Sequence, residues 1–152
     1  MTGLRLRGRE VRIIAALHLP PMPGAACPNA LPIADMITYA RRNAAIALDN
    51  GVDGLYIQDL GDYPVAPKVQ PHAIARVTAV GYALRQSFPD AALGVCLMSH
   101  GARGPLAVAQ AMDADFVRLK VYVGAMVKAE GVLEGCAYEA IQYRAAIGAS
   151  NV

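Results

Sequence analysis

A chain of 152 residues has the length of one domain, and 55% of its residues are hydrophobic, which is more than a domain of this size commonly holds. Only 17% are charged, so the sequence predicts an unusually buried core or a surface that meets a partner. The net charge of +2 comes from scattered basic residues without a nucleic-acid-binding motif, and no apolar run approaches the ~20 residues of a membrane span.

The three cysteines, Cys27, Cys96 and Cys136, are odd in number and far apart. This spacing fits neither a disulfide framework nor a zinc site, so we predict a reducing, cytoplasmic setting and no metal site. Cys96 lies within an apolar segment and is expected to be a small buried hydrophobe. The basic start of the chain leads through a short apolar run to prolines, which favours a first strand over a signal peptide.

Strand-like and helix-like segments alternate along the chain. The first strand covers 11–17 and ends before the prolines of LPPMPG. The first helix is expected to begin with Asp35 as its N-cap and to end at Asn50-Gly51. The remaining elements are a strand at 53–57, a helix at 71–87, a strand at 93–98, a helix at 105–112, a strand at 115–120, a glycine-rich loop at 124–135 and a helix from 137 to about 147.

Continuous apolar strands that alternate with amphipathic helices indicate an α/β fold with a parallel sheet. Doubly wound sheets and barrels share that pattern, but a repeat of roughly 35 residues and long polar loops after the strands favour the barrel. We therefore predict a single partial domain over 1–152, the N-terminal (β/α)4 half of a TIM (β/α)8 barrel, ending before strand five. Its two open sheet edges predict a homo-oligomer or pairing with the missing half-barrel.

Polar residues follow the first two predicted strands, where barrels place functional groups. His18 follows the first strand, and Gln58, Asp59 and Asp62 follow the second. We predict catalytic roles for His18, Asp59 and Asp62 and a ligand-binding role for Gln58. The alternatives are a structural histidine in the core and an Asp62 that caps the turn before Tyr63-Pro64.

The last two predicted strands supply the other candidates. Lys120 ends the fourth strand and could form a Schiff base if burial lowered its pKa, or it could be a solvated loop residue. His100, Arg118 and Glu134 are predicted to bind a ligand, whereas His72, at a helix start, is expected to lie on the surface. No glycine-rich nucleotide motif is present, so the sequence assigns no cofactor.

Several segments resemble the BtpA family. They are ALHLPPMPG at 16–24, NGVDGLYIQDLGDYPV at 50–65, LGVCL at 93–97, ADFVRLKV at 114–121, GAMVKAEGVLEG at 124–135 and Tyr143-Arg144. The resemblance implies a barrel protein of about twice this length, in a family named for photosystem I biogenesis but found also in non-photosynthetic bacteria and archaea. It implies a role in the biogenesis of a membrane-protein complex.

The departures from the family pattern cluster at the predicted strand ends. Gln58-Asp59 stands where the family usually has Glu-Asn, Cys96 and Lys120 replace asparagines, and His100-Gly101 lies where an Asn-Asp pair is usual. Glutamate to glutamine removes a base, and asparagine to cysteine removes an amide that donates and accepts. The changes predict that this half-barrel is not catalytic.

Three functions are open at this point. The first is an assembly factor for a membrane-protein complex, with at most a peripheral association with the membrane. The second is an enzyme that acts on a small sugar-like or phosphorylated metabolite. The third is a non-catalytic remnant of a longer gene.

Overall fold

The computed structural model describes residues 3–27 and 29–152. Its elements, in chain order, are β1 Arg5–Leu6, β2 Arg9–Glu10, β3 Ile14–His18, α1 Ile33–Asp49, β4 Gly54–Gln58, α2 Pro71–Ser87, β5 Ala92–Cys96, α3 Arg103–Ala111, β6 Phe116–Val117, β7 Ala125–Lys128, β8 Gly131–Glu134 and α4 Ala137–Ala146. Within the described residues no helix is both long and apolar enough to cross a membrane.

The centre of the fold is a parallel sheet with the strand order β3-β4-β5-β6. Consecutive strands are neighbours, so each helix between them crosses from the end of one strand to the start of the next. Ile14 pairs with Gly54, and Gly54 pairs with Ala92. This in-step register brings the carboxyl ends of β3, β4 and β5 to one edge of the sheet. The predicted α/β class with a parallel sheet is confirmed.

The core lies between one face of the sheet and the helices. Alternate strand residues, Leu55 and Ile57 in β4 and Leu93 and Val95 in β5, are fully buried in the same apolar cluster as residues from α1 and α2. On the other face, a Cβ added to Gly94 would come within 2.3 Å of the Phe116 ring, so that ring lies directly across the glycine. Tyr56, Gln58 and Cys96 lie on this other face, outside the apolar cluster that contains the described helix residues, and we call it the helix-free face.

Several predicted boundaries are confirmed. The second helix covers 71–87 as expected, with Pro71 in its first turn, where the missing N–H costs nothing. Gly51 has φ of +88°, the left-handed conformation that ends α1. Cys96 is 1% exposed, as predicted for a small buried hydrophobe. The three cysteines are free thiols.

The segment 124–135, predicted to be a loop, is a β-hairpin, and this prediction was wrong. Its strands β7 and β8 pair antiparallel from Ala125–Glu134 to Lys128–Gly131. Gly131 supplies φ of +105° at the turn, and Gly124 supplies +77° before the hairpin. The glycines therefore mark the turns of a hairpin, and its valines pair across the two strands.

Other boundaries also differ from the prediction. The N-terminal hairpin of β1 and β2 was not expected, and β6 has two residues in place of the six predicted at 115–120. Helix α1 begins at Ile33 after Pro32, so Asp35 lies in its first turn and is not the N-cap. Helix α3 begins at Arg103, two residues before Pro105. The strand bounds differ because they depend on pairing between segments distant in sequence. The start of α3 differs because a proline is tolerated in the first turn of a helix.

Candidate functional site

The carboxyl edge of the sheet brings together residues from three strands. His18 pairs with Gln58, and Gln58 pairs with Cys96, so these positions lie side by side at the strand ends. Gln58 and Cys96 are buried, whereas His18, on the outer strand, is exposed. Ligands of parallel α/β sheets bind beyond the carboxyl ends of the strands, so this edge is the candidate site.

Asp59 follows β4 directly and is 4% exposed. One of its carboxylate oxygens accepts the backbone N–H of Met98 at 2.7 Å, which ties the end of β4 to the loop after β5. Burial raises the pKa of the Asp59 carboxyl, and the bond from Met98 only partly opposes this change. The residue therefore holds two strand ends together and keeps a buried charge with spare hydrogen-bonding capacity.

Asp62 lies three residues further on and is half-buried. Its carboxylate accepts the backbone N–H of Met22 at 2.8 Å, so it fixes the proline-rich loop after β3. Burial raises the pKa of the Asp62 carboxyl, opposed by the bond from Met22 and by the charges of His72 and Arg76. The carboxylate thus joins two loops at the sheet edge.

Between these loops lies a cavity of 190 Å³, which we call the acidic cleft. Asp59, Asp62, His72, Gln70 and Ser99 are among its lining residues. His72 was expected to lie on the surface, but its ring packs against Gly24, where an added Cβ would come within 2.8 Å of Nε2. In the described part of the chain, no three His, Cys, Asp or Glu side chains converge as metal ligands.

A second cavity, of 240 Å³, opens on the helix-free face, and we call it the basic cavity. The residues that matter for its chemistry are Tyr56, Gln58, Cys96, Arg118, Lys120 and Lys128. Met98 lines both cavities, so they are adjacent at the same edge of the sheet.

Arg118 is one of the three cations that line the basic cavity. Its Nη1 donates to Sγ of Cys96 at 3.4 Å, and its guanidinium carbon is 5.8 Å from the centre of the Tyr56 ring. Burial raises the pKa of the Cys96 thiol even though Arg118 opposes the change, so the thiol is protonated and a poor nucleophile at neutral pH. The thiol therefore serves to position the guanidinium.

Lys120 forms an ion pair with Glu130, which lies at the turn of the β7–β8 hairpin. The two side chains are 11% and 10% exposed, and the bond from Lys120 lowers the pKa of the Glu130 carboxyl. Lys120 thus fastens the hairpin beside the basic cavity, which Lys128 of the same hairpin also lines.

His100 and Glu134 meet at the base of the hairpin. Nε2 of His100 lies 2.7 Å from the carbonyl oxygen of Glu134, and because a carbonyl only accepts, Nε2 is the donor. The other ring nitrogen, Nδ1, is buried and has no hydrogen-bond partner among the described residues. The exposed Glu134 side chain takes no part in this contact.

The structure brings some of the predicted site residues together and separates others. Gln58, Arg118 and Lys120 line the basic cavity, and Asp59 and Asp62 line the acidic cleft. His18 lies beside Gln58 at the strand ends but lines a different, shallow depression that includes Tyr39 and Tyr63. His100 and Glu134 lie at the base of the hairpin. The roles predicted for all eight residues stay predictions.

Sequence reasoning missed three residues of these cavities, Tyr56, His72 and Lys128, and it missed Glu130, the ion-pair partner of Lys120. Tyr56 could have been found from strand alternation, since it lies two residues before Gln58 and so shares its face. Lys128 and Glu130 gave no such signal, because their place depends on the hairpin turn.

Fold and site together define a mixed α/β domain with a parallel sheet and a polar carboxyl edge. The chain belongs to the BtpA family, whose model matches residues 9–152.

Relatives of the chain come from several kingdoms. An uncharacterized mitochondrial protein of Caenorhabditis elegans is 30% identical over 145 residues, covering 92% of this chain and 52% of the relative. An uncharacterized protein of Archaeoglobus fulgidus is 30% identical, over 89% of this chain and 54% of the relative. The photosystem I biogenesis protein BtpA of Synechocystis sp. is 29% identical, over 87% and 46%. The chain thus spans about half the length of these relatives.

Among solved structures, an isomerase from Streptomyces coelicolor A3(2) is 17% identical, with a TM-score of 0.43 over 70% of this chain and 26% of that chain. A likeness at this level assigns neither a fold nor an activity.

Proposed function

We propose that residues 1–152 form one partial domain, the N-terminal half of a (β/α)8 barrel. The strand order follows the chain order, the apolar cluster that contains the helix residues lies on one face of the sheet, and the relatives are about twice as long. A barrel needs strands that continue the sheet in the same sense and a face that turns inward. The tyrosine, glutamine and arginine on the helix-free face would then point into the barrel mouth.

We further propose that the chain acts in the biogenesis of a membrane-protein complex, by binding and not by catalysis. The biogenesis role is taken from the similarity to the Synechocystis protein. The observation that supports binding is that the candidate catalytic groups already hold the structure together. Asp59 and Asp62 accept backbone N–H groups, and Lys120 is paired with Glu130.

The partners that this role calls for are a second copy of the chain or a polypeptide that supplies the other half of the barrel. Both outer strands, β3 and β6, keep an edge free of further pairing in the described residues. Such edges are covered in stable proteins. We propose a cytoplasmic location with, at most, a peripheral contact to a membrane, and no nucleic-acid partner.

The test is complementation in Synechocystis cells that lack their own BtpA. This chain is expressed alone, and also together with the part of the Synechocystis protein beyond the matched region. Photosystem I is measured from the P700 absorbance change. We expect recovery when both polypeptides are present. No recovery, although both accumulate as folded protein, would contradict the biogenesis role.

A second candidate is an enzyme of a small sugar-like or phosphorylated metabolite. The observation that favours it is the pair of adjacent cavities, one lined by carboxylates and one by cations, at the strand ends. Turnover of a metabolite panel, followed by mass spectrometry, tests it. We expect Asp62→Ala and His18→Ala to abolish any conversion, and equal conversion by these variants would refute the assigned roles.

A further inference from the structure

The basic cavity contains a guanidinium group that has no anionic partner in the described residues. Four arginines of the described chain form salt bridges within 3.1 Å, and these are Arg7, Arg12, Arg85 and Arg103. Arg118 contacts only a thiol and the face of an aromatic ring. Arg118 is an exposed residue, and a guanidinium with five donors and one weak acceptor keeps most of its hydrogen-bonding capacity for solvent or a ligand.

The guanidinium is nevertheless held in place. Tyr56 lies against one of its faces, and Cys96 accepts from Nη1. Both neighbours are on central strands of the sheet, β4 and β5, and Cys96 is fully buried. A side chain fixed by stacking loses little entropy when it binds a ligand, so the arginine is preorganised for an oxyanion.

The cavity also has an excess of positive charge. Arg118, Lys120 and Lys128 line it, and among the three only Lys120 has a carboxylate partner within 4 Å in the described structure. Asp59 lies close enough to Lys120 to feel its charge, but it lines the neighbouring acidic cleft and not the basic cavity. A cavity lined by two cations, Arg118 and Lys128, that lie outside the ion pairs of the described residues attracts anions.

We propose that the basic cavity is a binding site for a small oxyanion, which is a phosphate ester or a carboxylate. Arg118 donates two parallel hydrogen bonds to the anion, and Lys128 of the β7–β8 hairpin neutralises its charge. The volume of 240 Å³ accommodates the anionic group of a metabolite rather than a macromolecule. Gln58, beside Cys96 on the same edge, donates to Sδ of Met98 at 2.9 Å. Because a thioether sulfur is a weak acceptor, the Gln58 amide loses little free energy when it leaves Met98 and donates to an oxyanion instead. The site goes beyond the proposed biogenesis role and does not depend on it.

The experiment is isothermal titration calorimetry of the 152-residue chain with inorganic phosphate and, separately, with acetate, at constant ionic strength. The variants are Arg118→Met and Lys128→Met. The matched controls are Arg41→Met and Lys68→Met, which remove one charge each at exposed positions outside the cavity. We expect phosphate binding to weaken at least tenfold in Arg118→Met and several-fold in Lys128→Met, with both controls unchanged.

Phosphate binding stronger than acetate binding would assign a phosphate ester as the ligand class, and the reverse would assign a carboxylate. No heat of binding from either anion overturns the proposal. Equal weakening in the controls and in the cavity variants also overturns it, because binding would then follow net charge alone. Lys128 lies on an exposed hairpin strand, so its variant tests the site even if Arg118→Met fails to fold.

Discussion

The charged side chains at the two ends of the central sheet differ in their hydrogen-bond partners. At the amino end, Arg85 is 5% exposed, and it donates to the Asp115 carboxylate at 2.9 Å and to carbonyl oxygens of Phe88, Pro89, Ala91 and Asp113. Arg7 of the N-terminal hairpin joins the same network, 2.7 Å from Asp115. Every guanidinium nitrogen of Arg85 meets an oxygen, and the network attaches the hairpin to the helix and the sheet.

At the carboxyl end the corresponding arginine, Arg118, meets only sulfur and a ring face. The aspartates at the two ends also differ, in the direction in which the structure shifts their pKa. Asp53, before β4, accepts the backbone N–H groups of Arg12 and Ile13, and these bonds lower its pKa. Burial raises the pKa of Asp59, after the same strand. The charged groups at the amino end therefore stabilise the fold, whereas polar groups at the carboxyl end keep hydrogen-bonding capacity that a ligand could use.

The largest expected effect is that of Arg85→Met. Removing one partner of a buried ion pair leaves the Asp115 carboxylate with only Arg7 and a backbone N–H, and we expect a loss of about 3–5 kcal/mol of unfolding free energy. Urea unfolding followed by circular dichroism measures it. Arg118→Met is the matched comparison at the other end, with an expected loss of about 1 kcal/mol. Similar losses in the two variants would contradict the division between the ends.

A smaller effect is expected from Arg7→Met, which disconnects the N-terminal hairpin from Asp113 and Asp115. Because Arg7 is partly exposed and Arg85 still pairs with Asp115, we expect a loss of about 1 kcal/mol in the same urea experiment. Arg5→Met is the control, since Arg5 donates only to the carbonyl oxygen of Gly8 in its own turn. If the two variants unfold alike, the network at the amino end does not stabilise the hairpin.

The last prediction concerns pH. A buried carboxyl with a raised pKa binds its proton more tightly when folded, so it stabilises the fold at low pH and this contribution is lost as the pH rises above about 4. Asp59→Asn keeps an acceptor for the Met98 N–H and removes the buried charge. We expect it to raise stability at neutral pH and to flatten the decline of stability between pH 4 and the raised pKa, as measured by thermal unfolding across pH.

Asp53→Asn is the opposite control, because the pKa of Asp53 is lowered. Its contribution is present above the unfolded pKa and is lost as the pH falls, so the variant should remove stability at neutral pH and little at acid pH. A stability that changes with pH in the same sense in both variants would show that the two ends do not differ electrostatically.

Much of the fold follows from local sequence. The Pro71 start and the Asn50-Gly51 stop depend on neighbouring residues, and the structure has them where the sequence predicts, whereas the first strand begins three residues later than predicted. The hairpin at 125–134 was missed because its glycines look the same in a loop and in a tight turn. Strand β6 is short because strand length depends on a paired neighbour.

The site was predictable only in outline. Residues after strands point to the carboxyl edge, and this places Gln58, Asp59 and Lys120 there. Which of them meet depends on contacts between residues distant in sequence, such as Arg118 with Tyr56 and Lys120 with Glu130. The ion pair of Lys120 with a carboxylate of the hairpin could not be predicted from the residues next to Lys120 in the sequence.

The most direct test of the division between the two ends is a two-dimensional 1H–15N spectrum of the chain titrated with phosphate at constant ionic strength. We expect shifts confined to the carboxyl end, at 56–60, 96–98 and 118–128, and none at the amino end, at 5–12 and 113–115. Shifts centred on the amino end, or spread evenly over the basic residues, would contradict this expectation.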